Sequence, residues 1–280
     1  MLPFEDYFNA WEIEIIECKV PDKLTNPKHK DAFYFLNETS FLLIVPSVAK
    51  FLVTANLIQF ERSKDASMLE IFAFLSSTVL GAALKLQGKL VFHGNAVFYN
   101  DQSYLICGGS GSGKSSIAAA MVRFGGKHIS DEIAVIEDLG NGEFYVKQGF
   151  PFIRLWEEVC DWLNIPDTNR EYLRDNIRKI RFNIPKESIS QSNFPLDHFV
   201  VSHISRPNEV ELDHKLGVDK VISMLNQVYR KDWNKIIYPK DLSPLNVLKL
   251  ARQINFSTII LREGFTPYKD IIKILEKNND

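Results

Sequence analysis

The residues best placed to do chemistry are Lys114 and Ser115, which close the pattern G-x-x-x-x-G-K-S that opens at Gly108. The loop Gly108-Gly109-Ser110-Gly111-Ser112-Gly113, with Lys114, Ser115 and Ser116, is the candidate cofactor-binding segment. Glycines reach backbone angles closed to other residues, so successive N–H groups can converge on phosphate oxygens. A helix starting at the end of the loop adds its partial positive charge. Lys114 is expected to reach the β- and γ-phosphates of ATP, and the Ser115 hydroxyl to ligate Mg2+. A flexible Gly/Ser linker would need neither the lysine nor the ordered elements on either side.

Phosphoryl transfer further requires a metal and a group that orients or deprotonates the attacking hydroxyl. Asp131 and Glu132 are adjacent acids just past a short apolar run. One division of labour makes Asp131 the base and Glu132 a metal-side ligand beside Ser115; a surface turn is the plainer alternative. His93 is either a site residue or a packed histidine with a satisfied ring. Arg154, in FPFIRLWEE, either stabilises the charge of the transferring group or pairs with Glu157 or Glu158.

Strand, glycine loop and helix must position these groups. Residues 103–107 are short, apolar and β-prone, whereas 115–124 is a good helix former stopped by Gly125-Gly126. Residues 89–93 and 95–99 read as strands around Gly94, and 127–129 and 133–136 as strands flanking the acids. The Asn141-Gly142 pair predicts a hairpin returning through 144–146. Residues 11–60 form several strands punctuated by prolines, a small antiparallel region. A helix follows over 67–86, closed by Gly88. The spacing also predicts a helix over 156–179, with Arg170, Arg174 and Arg178 four residues apart. That row is a solvated face or a peptide- or phosphate-facing patch. Late strands are expected at 196–204 and 257–261. The fold class is therefore α/β with a mixed sheet. A β region over 1–64 precedes a P-loop domain over 65–280 whose C-terminal part is helical.

The chain has 280 residues, 45% hydrophobic and 24% charged, which allows a large core in one or two domains. A formal net charge of −2 offers no bulk attraction to nucleic acid or an anionic membrane, and neither is expected as a partner. Cys18, Cys107 and Cys160 have no metal or disulfide spacing and fit a reducing cytoplasm. The N-terminal stretch lacks the order of a signal peptide, and the uncharged run 71–84 is short for a bilayer span.

The run VFHGNAVFYNDQSYLICGGSGSGKSS followed by KHISDEIAVIE resembles the catalytic domain of HPr kinase/phosphorylase and the related HPr-kinase-like serine kinases. His93 stands 21 residues before Lys114 and Asp131 stands 17 after it, and these separations suit the family pattern. The likeness covers about residues 88–137. It implies a P-loop core of the HPr kinase/PEP carboxykinase-like type, with His93 near the phosphates, Asp131 in the place of the catalytic aspartate and Glu132 in that of a second, metal-side acid. It also implies ATP and Mg2+ as cofactors, a peptide or small-protein serine as substrate, and leaves a homo-oligomer open.

The family's E-[IL]-R-G-x-G signature is missing. PFIRLWEEVCDW stands in its place, with Glu157 or Glu158 where the signature glutamate would fall. The pattern P-x-x-R-L-W and the short N-terminal sheet look more like the enzymes beside lasso-peptide maturation systems. Other readings are an HPr-directed kinase, a small-molecule or PEP-carboxykinase-like enzyme, and a nucleotide-gated switch. Against familiar switches, Asn234-Lys235 is not followed by the aspartate of a guanine reader, and no L-S-G-G-Q occurs.

Overall fold

The computed structural model describes residues 5–140, 142–174, 177–189, 193–205, 210–237, 243–262 and 268–276. The chain divides into two compact units, Met1–Val91 with Tyr229–Ser243, and Phe92–Val228 with Pro244–Asp280. This differs from the boundary expected at 64/65.

In the first unit, six strands lie in the order Glu14–Glu17, Leu57–Arg62, Ala49–Val53, Phe41–Val45, Tyr34–Leu36, His29–Lys30. The first pair is parallel and the rest antiparallel. Alternation in Ala49–Val53 buries Ala49, Phe51 and Val53, the period-2 signature of a half-buried strand. The helical run Met68–Leu86 belongs to this unit. Ser67 opens it with a reciprocal capping box to Glu70, and its middle turn, Leu75–Val79, is a π-helix. Phe74 packs 6.2 Å from Phe51, and the Gln87 amide donates to the Trp11 and Ala55 carbonyls. These contacts, made by side chains far apart in sequence, explain why the unit extends past residue 64. Among the described residues Met68–Leu86 is long and apolar enough to cross a membrane, yet 61% of its most apolar window is buried inside the protein.

The second unit is a mixed α/β structure. Its largest sheet runs in the order Phe194–Pro195, Phe144–Val146, Ile133–Asp138, Leu90–Tyr99, Gln102–Gly108, His198–Ser205, Asn255–Arg262, Glu211–Asp213, with Lys127–Ser130 also on Leu90–Tyr99. The two strands expected around Gly94 are one continuous strand, because the glycine sits without a break against the next strand. Gln102–Gly108 is antiparallel to that strand and parallel to His198–Ser205, which is parallel to Asn255–Arg262. Crevices outside the carboxyl ends of such parallel strands are the usual ligand sites of open α/β sheets. The helix Lys114–Arg123 leaves the central strand through the glycine loop and buries Ile117, Ala118, Met121 and Val122. Ile133–Asp138 pairs with Phe144–Val146 as the Asn-Gly signal implied, although Asn141 lies outside the described residues.

The helix expected over 156–179 is confined to Glu157–Trp162. Beyond it, Arg170–Arg174 and Ile177–Asn183 form a hairpin that pairs with Phe152–Trp156. Four-residue charge spacing is compatible with a helix, but burial here alternates: Ile180, Phe182 and Ile184 are buried and Lys179, Arg181 and Asn183 are not. Packing of that apolar face with Ile153 and Leu155 in the core overrode the helical spacing. Arg170 ends in an ion pair with Asp161 at 2.6 Å, while the side chains of Arg174 and Arg178 lie outside the described residues.

Candidate active site

The loop between Gly108 and Lys114 needs its glycines at particular places. Gly113 caps the helix with φ +88°, and a Cβ there would meet Leu261 Cδ1 at 2.6 Å. Gly108 has φ +145° and lies against the Ser202 carbonyl, where no side chain fits. Beneath the loop, Ser112 Oγ is 3.0 Å from Ser202 Oγ, which donates to the Cys107 carbonyl at 3.1 Å. Lys114 folds back so that its ammonium donates to the Gly108 and Gly109 carbonyls at 3.0 and 2.8 Å. Burial, helped by nearby Lys179, lowers its pKa from the usual lysine value.

The loop forms one wall of a cavity of about 380 Å³. Facing it are His93, Glu132 and Arg154, all three expected from the sequence, so a loop and three separate segments meet in one place. Ser115 lines the same space.

The two neighbouring acids part company. Glu132 has φ +61°, and the Ile133 N–H donates across it to the Asp131 carbonyl at 2.7 Å. A non-glycine residue in that region costs about 1–3 kcal/mol and persists where the surroundings impose it. Here the Glu132 carbonyl accepts from His93 Nδ1 at 3.2 Å and from the Gly94 N–H at 3.3 Å. The tight turn sends Glu132 into the cavity wall, its carboxylate 3.0 Å from Arg154 and 3.1 Å from Lys179. Burial works to raise its pKa, but Arg154 and Lys179 outweigh it and hold the group below the usual glutamate value.

Asp131 turns away. Its side chain is 1% exposed, and it is not among the residues that line the cavity. One oxygen accepts from the Asn95 amide and the other from the Arg154 N–H at 3.1 Å. Burial first, and then the charge of Glu132, push its pKa up to about 6. His93 is held below its ordinary pKa by burial and by Lys114, so near neutral pH it is uncharged with Nδ1–H as donor.

Three cations reach this side from one face of the hairpin sheet. Arg154 stands opposite Arg181, and Trp156 opposite Lys179, so all four side chains share a face. Arg154 and Lys179 converge on Glu132, whereas Arg181 pairs with Glu171 and lies over the Phe152 ring. Arg154 pairs with Glu132 at 3.0 Å and stands 3.9 Å from Asp131, and Glu157 accepts from the Tyr172 hydroxyl at 2.6 Å.

Lys179 and Asn95 also line the cavity, and the sequence reading did not assign them. Read with a period of two, IRKIRFN would have pointed to Lys179 on the polar face; Asn95 is an amide inside an apolar strand, itself a signal. Among the described residues no cluster of three or more His, Cys, Asp or Glu could by itself hold a metal. Ser115, beside Lys114, would offer one oxygen to a Mg2+ ion whose other ligands are phosphates and water.

No family model matches the chain, and no curated protein matches it. Among solved structures it is similar to the HPr(Ser) kinase/phosphatase from Coxiella burnetii. The match has 10% identity and a TM-score of 0.33, covering 68% of this chain and 87% of that one. A likeness at that level carries no residue-to-residue correspondence.

Proposed function

We propose that the protein is an ATP-dependent phosphotransferase that moves the γ-phosphoryl group to a serine hydroxyl of a peptide or small protein. A ribosomally made, lasso-type precursor peptide is the favoured acceptor, and the reducing cytoplasm the setting. One observation carries the reading: the phosphate-loop residues Lys114 and Ser115 share a cavity with a carboxylate held by two cations. The peptide acceptor is supported by the sequence likeness alone.

In this reading the loop N–H groups take the phosphates, and Lys114 gives up its two carbonyl partners for the β- and γ-oxygens. Mg2+, held by Ser115, supplies charge neutralisation on the phosphates when bound. Arg154 and Lys179 offset the charge spread over the transferring group. Of the two acids, Glu132 has access to the cavity, so it receives the acceptor proton as the bond to the acceptor oxygen forms and the bond to the ADP oxygen breaks. Its lowered pKa is tolerable because a loose transition state asks little of the base.

The test is the intact mass of a serine-ended precursor-type peptide and of purified HPr after incubation with the protein, ATP and Mg2+. A phosphate-sized gain on the peptide alone is expected. A gain on HPr alone assigns the other acceptor, and ATP consumption with no gain on either removes the peptide-kinase reading.

A further inference from the structure

Asn95 is fully buried within the strand Leu90–Tyr99, yet it lines the cavity. It follows His93 by two residues, so both side chains leave the same face of the strand. Between them, Gly94 lets the strand press on its neighbour: a Cβ there would meet the Ile106 carbonyl oxygen at 2.7 Å and Cys107 Sγ at 2.8 Å.

The amide has two ends, and only one is used. Its nitrogen donates to Asp131. Its carbonyl oxygen is buried and, among the described residues, has no hydrogen-bond partner. Leaving a buried acceptor unpaired costs about 1–3 kcal/mol, so such an atom at a cavity wall points to a ligand that pairs it. Asp131 sits behind the wall with both oxygens engaged, which fixes the amide nitrogen toward the interior and turns the oxygen the other way.

We propose that the Asn95 side-chain oxygen accepts a hydrogen bond from the hydroxyl of the phosphoacceptor, and that Asp131 is the positioning residue that keeps the amide turned for it. This rests on the phosphotransferase reading above. A neutral acceptor oxygen pairs with a hydroxyl and repels a phosphate oxygen, so it does not face the polyphosphate, and an unchanged KM for ATP separates the acceptor hydroxyl from those of the ribose. Asn95 takes no proton and orients the oxygen that attacks.

The test compares the wild type with Asn95→Leu, of similar size without polar atoms, and Asn95→Ala, which relieves any crowding should the leucine variant fail to fold. Three quantities are read: binding of fluorescent mant-ATP with and without Mg2+, transfer to the serine-ended peptide, and ADP release with water as sole acceptor. Mant-ATP affinity is expected to stay within about threefold, while transfer and ADP release fall about 10–100-fold, with the KM for peptide rising and that for ATP unchanged. Transfer at the wild-type rate in a folded variant overturns the proposal. So does a loss confined to the Mg2+ dependence of mant-ATP binding, which would place the oxygen on the cation. A wild type that neither modifies peptide nor releases ADP sinks the phosphotransferase reading itself, a result separate from either variant outcome.

Discussion

The two walls of the cavity are built in different ways. The loop wall is one continuous stretch, Ser110–Ile117, whose backbone follows from positive φ at Gly108, Gly111 and Gly113 and a helix that begins at once. The rest of the lining comes from several distant segments, among them His93 and Asn95 from one strand, Glu132 from a strained turn, and Arg154 and Lys179 from a separate small sheet. A contiguous wall suits a ligand part that never varies, which in the proposed function is the polyphosphate. A wall assembled from distant segments can change one member at a time, which suits the variable acceptor.

If that division holds, substitutions on the two walls separate in what they damage. Lys114→Ala should have the largest effect, abolishing detectable mant-ATP binding and lowering ADP release by about 10³-fold or more. Glu132→Gln should lower transfer about 10²-fold while mant-ATP affinity, measured by fluorescence titration, changes only severalfold. Lys179→Met should cost about tenfold in kcat, with a lowered sensitivity to ionic strength, since one of the two cations on Glu132 is removed. Complete loss of nucleotide binding in Lys179→Met would erase the distinction between the walls.

Away from the cavity, one effect falls on stability alone. His128 is buried as a neutral ring, its Nε2 donating to the Phe150 carbonyl at 2.8 Å, and burial pushes its pKa down to about 4. Above pH 6.5 neither the folded nor the unfolded state holds the extra proton, and nothing is lost. As pH falls below 6.5 the unfolded chain takes the proton and the folded one does not, so stability declines until about pH 4, by about 3 kcal/mol in all. His128→Gln should lose this decline relative to wild type in urea melts at pH 7, 6 and 5. Parallel slopes for the two proteins would show that His128 is not the group responsible.

Much of the scaffold was legible along the chain because its signals are local. The glycine loop, the apolar strand before it, the helix and its Gly125-Gly126 stop, and the late strand 257–261 each depend on residues within one short window. The residues 156–179 show where such reading stops. Arg170, Arg174 and Arg178 satisfy a helical spacing, and although Pro166 ends the helix ahead of them, it is the burial of Ile180 and Phe182 against Ile153 and Leu155 that decides for strands. That choice brought Lys179 to the cavity.

The sequence by itself determined that a glycine loop joins a strand to a helix and that His93, Asp131, Glu132 and Arg154 are the polar candidates near it, because residue type and backbone freedom are local properties. Only the tertiary structure decided which of two adjacent acids faces the cavity. The positive φ at Glu132 depends on the carbonyl being held by His93 and Gly94, 38 residues or more away in the chain, and Asp131 is drawn inward by Asn95 and the Arg154 N–H. Side-chain direction at a strained turn is set by the partners that pay for the strain, and those partners come together only on folding.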